Sequence, residues 1–244
     1  MSQGFLLEVA ANSVASAVAA QEGGAGRVEL CTALELGGLT PSMALIAMVR
    51  EQLHIPLYVL IRARAGDFLY NDLECELMRR DIETCAALGC DGVVLGVLDA
   101  EGDIDKARCR TLIQAAGEMG VTFHRAFDMT RDPERALDDV IALGCERVLT
   151  SGAQASAMEG APLIRQLIMR ATGRIAVMPG AGVTPQNIVA LAKVTGANEF
   201  HASAKQQLPS GMRHQRPTLR DMEGGELRSD VHQIRELADQ LRRL

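Results

Sequence analysis

Six times along this chain a helical stretch with one apolar stripe runs into a glycine, and a short apolar run follows. QEGGAGRVEL, ALGCDGVVLG, EMGVTFHRA, ALGCERVLTSG, ATGRIAVMPG and VTGANEFHAS are the instances. The glycine supplies the left-handed residue that ends a helix at little cost. The run after it is near-continuous in Val, Leu, Ile and Phe, as in a strand covered on both faces. With two further runs, LLEVA and LYVLI, strands are expected near 6–10, 27–32, 57–63, 92–98, 121–127, 147–151, 175–179 and 199–203. Strands that alternate with helices make a parallel sheet, open or closed. An open dinucleotide-binding sheet carries G-x-G-x-x-G after its first strand, and here AANSVASAV stands there. Eight units in 244 residues point to an α/β fold of the TIM (β/α)8 barrel type, a single domain over 1–244.

Helix starts are marked by Thr40–Pro41, Asp132–Pro133 and Thr184–Pro185, each a capping side chain before a proline. One helical pattern spans 156–172. Residues 204–229 are polar, carry Pro and Gly and show no period, so a long irregular segment is expected after strand 8. An amphipathic helix should follow over 230–244.

Hydrophobic residues make up 48% and aromatics 3%, so the core must be built from Leu, Val, Ile, Ala and Met, a palette suited to α/β packing. Net charge is −6 with no basic run in the body of the chain, which argues against nucleic acid as a partner. The N-terminus lacks a basic, apolar leader, and no apolar run approaches the roughly 20 residues of a membrane helix. A cytoplasmic protein without a membrane segment is expected, with its six cysteines as reduced thiols.

Alternate strand residues face opposite ways, and the helix-facing side should be apolar. In VTFHRAFD this turns His124 inward and leaves Asp128 at the C-terminal rim. Arg125 shares the apolar parity, so it needs either an early strand end or a carboxylate partner. The same reading turns Glu8, Glu29, Cys31 and Arg62 inward, and sets Glu199, His201 and Ser203 opposite Phe200. Five strands thus converge Glu8, Glu29, Cys31, Arg62, His124 and His201 on one lumen. Buried unpaired charge costs several kcal/mol per ion. These groups must therefore pair with one another, as Glu29 with Arg62 would, or bind a ligand. Proton transfer by Glu8, Glu29, His124, His201 or Asp128, with Arg62 and Arg125 as binding cations, has the residue types it needs.

MPGAG follows strand 7, TSG follows strand 6 and HASA spans the end of strand 8. Loops after strands 7 and 8 of such barrels commonly take a phosphate. Gly180, Gly182, Ser203, Ser151 and Gly152 are the candidate anion binders. No lysine sits on a lumen strand, which argues against Schiff-base chemistry. There is no C-x-x-C, and Cys31 is the one inward thiol. Cys31, His124 and His201 are the candidate soft-metal ligands.

VELCTALELGGLTPS, IRARAGDFLY, FHRAFDM, RVLTSG, VMPGAGV and EFHAS together resemble the CutC family, in order from residue 5 to about 204. The resemblance implies a cytoplasmic TIM barrel with a copper-homeostasis role, a homo-oligomer such as a dimer. It also implies site residues at Glu29, Cys31, Arg62, Asp67, His124, Arg125, Asp128 and His201. Ala63 stands where many relatives have proline. The expected ligands are therefore copper, as Cu(I), or a small polar or phosphorylated anion handled by an acid–base enzyme of the lyase or isomerase type. A barrel that acts only through protein contacts is a third reading, and it would require every inward charge to pair off.

Overall fold

Each apolar run pairs with the next one in the chain. The computed structural model describes residues 4–214, 216, 218 and 224–244. The strands are β1 (Leu6–Ala11), β2 (Arg27–Leu30), β3 (Leu57–Leu60), β4 (Gly92–Leu95), β5 (Gly120–Phe123), β6 (Arg147–Thr150), β7 (Ala176–Pro179) and β8 (Glu199–Ala202). They form one parallel sheet in the order β7-β6-β5-β4-β3-β2-β1-β8, with β7 beside β8 so that the sheet nearly closes into a barrel. Helices α1 (Val14–Gly23), α2 (Met43–Gln52), α3 (Asp72–Ala87), α4 (Lys106–Ala116), α5 (Pro133–Ala142), α6 (Ala161–Ala171), α7 (Ile188–Thr195) and α8 (Val231–Arg242) alternate with them. The apolar parity of each strand packs on these helices: Val9, Val28, Val59, Val93, Phe123, Val148 and Phe200 are all fully or almost fully buried. Among the described residues no helix is long and apolar enough to cross a membrane.

Local chemistry moves several boundaries. The strand expected over 121–127 ends at Phe123, because Arg125–Met129 winds into a 3-10 turn. The His124 side chain caps that turn by accepting from the Ala126 N–H at 3.2 Å. Thr40 does not cap α2. Ser42 does, while the Thr40 hydroxyl bonds the Arg62 backbone at 2.9 and 3.2 Å. Thr184 does not cap α7, which starts after Asn187, whereas Asp132 caps α5 with Pro133 in its first turn. The pattern over 156–172 becomes α6 only from Ala161, because residues 151–160 are spent on turns against β6.

The stretch 204–229 is not irregular throughout. Lys205–Leu208 (β9) and Glu226–Ser229 (β10) pair antiparallel. The pairing was invisible because each strand has four residues and little apolar alternation, and the backbone ladder carries it. Residues 215, 217 and 219–223 of this stretch lie outside the described residues. The helix expected over 230–244 is α8, capped by Asp230, with Ile234, Leu237, Ala238 and Leu241 buried against the barrel and α1.

Candidate functional site

The lumen is charged at two levels. The lower one lies toward the N-terminal ends of the strands. Arg27, Arg147 and Glu199 are the first residues of β2, β6 and β8. Arg27 Nε donates to Glu8 Oε2, and its Nη2 to Glu199 Oε2 at 2.8 Å. Arg147 donates to the same Glu199 oxygen, to Glu146 at 2.8 Å and to Thr122 Oγ1 at 3.1 Å. Both guanidinium groups sit over the Tyr58 ring, 5.1 and 5.6 Å from its centre, and the Tyr58 hydroxyl donates to Glu146. The ring has room because two neighbouring strands carry glycine. A Cβ on Gly92 would lie 2.2 Å from the ring, and one on Gly120 would lie 2.2 Å from its hydroxyl. Sequence parity carries a signal for part of this plug, since Arg27 is two residues before the inward Glu29. The signal is parity alone, which gives no functional role to charge at the start of a barrel strand.

The upper level opens as a cavity of about 520 Å3, lined among others by Glu29, Cys31, Arg62, His124, Arg125 and His201. Glu8 joins the two levels. Its Oε1 accepts from His201 Nδ1 at 2.8 Å, while Oε2 accepts from Arg27. Burial alone would raise the Glu8 carboxyl, but Arg27 and His201 outweigh it and hold the carboxyl at about 2. Glu8 is thus a fixed carboxylate, so Nδ1 of His201 carries a proton and Nε2 is left to face Glu29 Oε2 at 3.4 Å. Burial pushes Glu29 up to about 7, with Glu8 adding to the rise and His201 opposing it. Burial works against a charged His201, but Glu29 and Glu8 outweigh it and raise the imidazole. Glu29 and His201 each hold a proton more tightly than a free side chain does, on a chain anchored by Glu8.

Arg62 does not pair with Glu29. Its Nη1 donates to the Leu36 and Gly38 carbonyls at 2.9 and 3.0 Å, and its Nη2 to the Gly66 carbonyl at 2.8 Å. The cation packs over Phe68, whose ring also tilts against His124 with centres 5.0 Å apart. Burial pushes His124 down to about 3, and Arg62 adds to this. Gly96 makes space for the imidazole, since a Cβ there would lie 2.6 Å from Nδ1. Asp67 pairs with Arg64 at 2.9 Å and not with Arg62.

Arg125 leaves its strand early and pairs with a carboxylate, meeting both conditions that its parity set. Its Nε donates to Asp128 Oδ2 at 2.8 Å and its Nη2 to Ser151 Oγ at 2.9 Å. The Asp128 carboxylate also accepts from the N–H groups of Ser151 and Ala153 at 3.0 and 3.1 Å. The amides after β6 that looked free for a bound anion thus hold the protein's own carboxylate, and Ser151, Gly152 and Asp128 do not line the cavity. Gly180 is also outside the lining, and its N–H is spent on the Thr150 carbonyl at 2.9 Å. Gly182 and Ser203 do line the cavity, on the loops after β7 and β8.

The soft-metal set does not assemble. Among the described residues, the one group of three His, Cys, Asp or Glu donor atoms within 4.8 Å of one another is Glu8, Glu29 and His201. Cys31 packs with Tyr58, Leu60 and Val94, and burial pushes its thiol up, with Glu29 and Glu35 adding to the rise. A protonated thiol is a poor ligand for a soft ion. His124 has already turned Nδ1 to the Ala126 amide. All six cysteines are free.

The CutC family model matches residues 5–206. A family protein CutC of Xanthomonas axonopodis pv. citri is 58% identical over 235 residues, covering 96% of this chain and 98% of that one. A mouse protein named copper homeostasis protein cutC homolog is 52% identical over 210 residues, covering 86% of this chain and 77% of that one. A solved structure described as a CutC protein of Streptococcus agalactiae superposes with TM-score 0.78 at 34% identity, covering 81% of this chain and 97% of that one. A thiamine phosphate pyrophosphorylase of Pyrococcus furiosus shares the barrel alone, at TM-score 0.63 and 13% identity.

Proposed function

The chain belongs to the CutC family, and for it we propose a barrel enzyme that moves a proton on a small anionic molecule. The observation that carries this is the chain Glu8–His201–Glu29, which ends at the cavity with a carboxyl poised near neutral pH. A general acid or base works best when its pKa lies near the working pH. In this reading Glu29 takes and returns the substrate proton, His201 accepts or supplies it from behind, and Glu8 orients His201. Arg62 holds the ligand's negative charge. Gly182 and Ser203 offer the place for a phosphate group, if the ligand carries one, at the loops where such barrels bind one.

Direct Cu(I) binding is the second reading. Its support is the copper-homeostasis name of the mouse relative. The donors favour it less, since the cluster near Cys31 is two carboxylates and an imidazole, without the sulfur donor that Cu(I) prefers. One experiment separates the two. The protein is incubated in D2O with defined 2-hydroxy and 2-oxo acids and their phosphate esters, and in parallel titrated with Cu(I) against a competing chelator. Deuterium should enter a carbon-bound position with wild type and fall by about a hundredfold or more in Glu29→Gln. No exchange, with stoichiometric Cu(I) binding lost in Cys31→Ala, would establish the copper reading instead.

A further inference from the structure

Two walls of the cavity differ in kind. The wall from β2 and β8 holds Glu29 and His201, which accept or share protons, with Glu8 of β1 buried behind His201. The opposite wall, at the ends of β3 and β5, holds Arg62 and His124, and it has hydrogen-bond donors left over. His124 Nε2 and Arg62 Nε are both buried with no partner. Nδ1 of His124 accepts from the Ala126 N–H, so a neutral ring must carry its proton on Nε2. The Nδ1–Cε1 edge lies against Gly96. A buried N–H without an acceptor costs free energy and is rare, so each such group calls for an explanation. Arg62 adds a buried charge held by carbonyl oxygens and an aromatic ring, with no carboxylate partner among the described residues. The buried Tyr70 hydroxyl lies against the Arg62 cation and outside the cavity, so His124 Nε2 is the clearer of the two unused donors.

Resting on the acid–base reading above, we propose that His124 Nε2–H and the Arg62 guanidinium form a receptor for a carboxylate or enolate oxygen of the ligand, with His124 as a donor and never the base. The ligand class follows from the two walls together. It is a small carboxylic acid whose neighbouring carbon bears the proton that Glu29 removes. The negative charge that develops on its oxygen then lies against a cation and a fixed N–H, which need no reorganisation as the charge builds. Burial and Arg62 keep the imidazole neutral, which suits a donor that must not give its proton away.

Glycolate is the probe, observed through the His124 ring in 15N-histidine-labelled protein. Its addition should shift the Nε2–H resonance, and that resonance should report one fixed tautomer from pH 5 to 8. Glycolate binding should weaken by about tenfold or more in His124→Phe and in Arg62→Met, and by less in His124→Gln, which keeps a donor. Binding unchanged in His124→Phe, no glycolate binding by wild type, or His124 protonating near its ordinary value would each overturn the receptor. If glycolate binding depends on His124 while exchange chemistry does not depend on Glu29, the receptor stands and the acid–base reading falls. The reverse pattern keeps the chemistry and removes the receptor.

Discussion

Replacing Arg27 by methionine is expected to destabilise the barrel by about 3–5 kcal/mol, because it removes one partner of a buried ionic network. Arg27 lies between Glu8 and Glu199, and both its own side chain and that of Glu8 are almost wholly buried. Methionine fills similar volume, so the loss is electrostatic more than steric. Glu8 would keep one bond, to His201, and Glu199 would keep Arg147. A carboxylate in the lumen would then lack its strongest compensation, and its desolvation would no longer be offset. The network can instead be neutralised as a pair. In Glu8→Gln/Arg27→Met the expected loss is less than half of the single substitution, since no uncompensated ion remains. Urea unfolding at pH 7 checks both. A double variant as unstable as the single one would show that packing, and not charge, makes Arg27 necessary.

The second large effect has the opposite sign. Glu29→Gln is expected to make the protein more stable at pH 8, by about 2–3 kcal/mol. The folded-state carboxyl is raised from 4.5 to about 7, so the native state binds this proton more tightly than the unfolded chain. The stabilisation that the proton brings is complete below pH 4.5 and is lost as pH rises through about 7. His201 is raised as well, so its contribution is complete below its unfolded value of 6.5 and is lost above it. Both contributions therefore weaken as pH rises above the unfolded values of these groups. Glutamine keeps the shape of Glu29 and never ionises, which removes the first loss, although it also removes part of what raises His201. At pH 5 the two proteins should differ little. Glu8 behaves in the opposite way, since its carboxyl is lowered to about 2. Its stabilisation is present above 4.5 and is lost as the solution is acidified toward pH 2. A residue that costs stability at working pH is what a site kept for chemistry looks like. Equal or lower stability of the variant at pH 8, by urea unfolding, would mean that Glu29 is ionised and well compensated.

The barrel was readable because its signal repeats. Each glycine-ended helix and apolar run is weak by itself, but six of them with two further apolar runs leave few other topologies. Strand parity carried as far as the lumen, where Glu29, Arg62, His124 and His201 line the cavity and Glu8 lies behind them, bonded to His201. Parity cannot say who pairs with whom. Glu29 and Arg62 were natural partners by charge. The loop at Leu36–Gly38, however, brings carbonyls to Arg62, and the β1–β8 pairing sets His201 beside Glu8. The same limit explains the amides after β6. Their placement was legible, but that Asp128 fills them follows from the 3-10 turn which ends β5 early, and nothing in FHRAFD announces that turn. The Arg27–Arg147–Glu199 plug obeys the parity rule as well, but charge at strand starts carries no functional expectation in a barrel.

The most direct test is the titration of the Glu29 carboxyl, followed by 13C NMR in protein labelled at glutamate Cδ and assigned by the Glu29→Gln spectrum. A midpoint near 7 that moves when His201 is replaced by glutamine is the expected result, since the two side chains face each other at 3.4 Å. A midpoint near 4.5, indifferent to His201, would mean that Glu29 carries no poised proton, and the proposed chemistry would have no base.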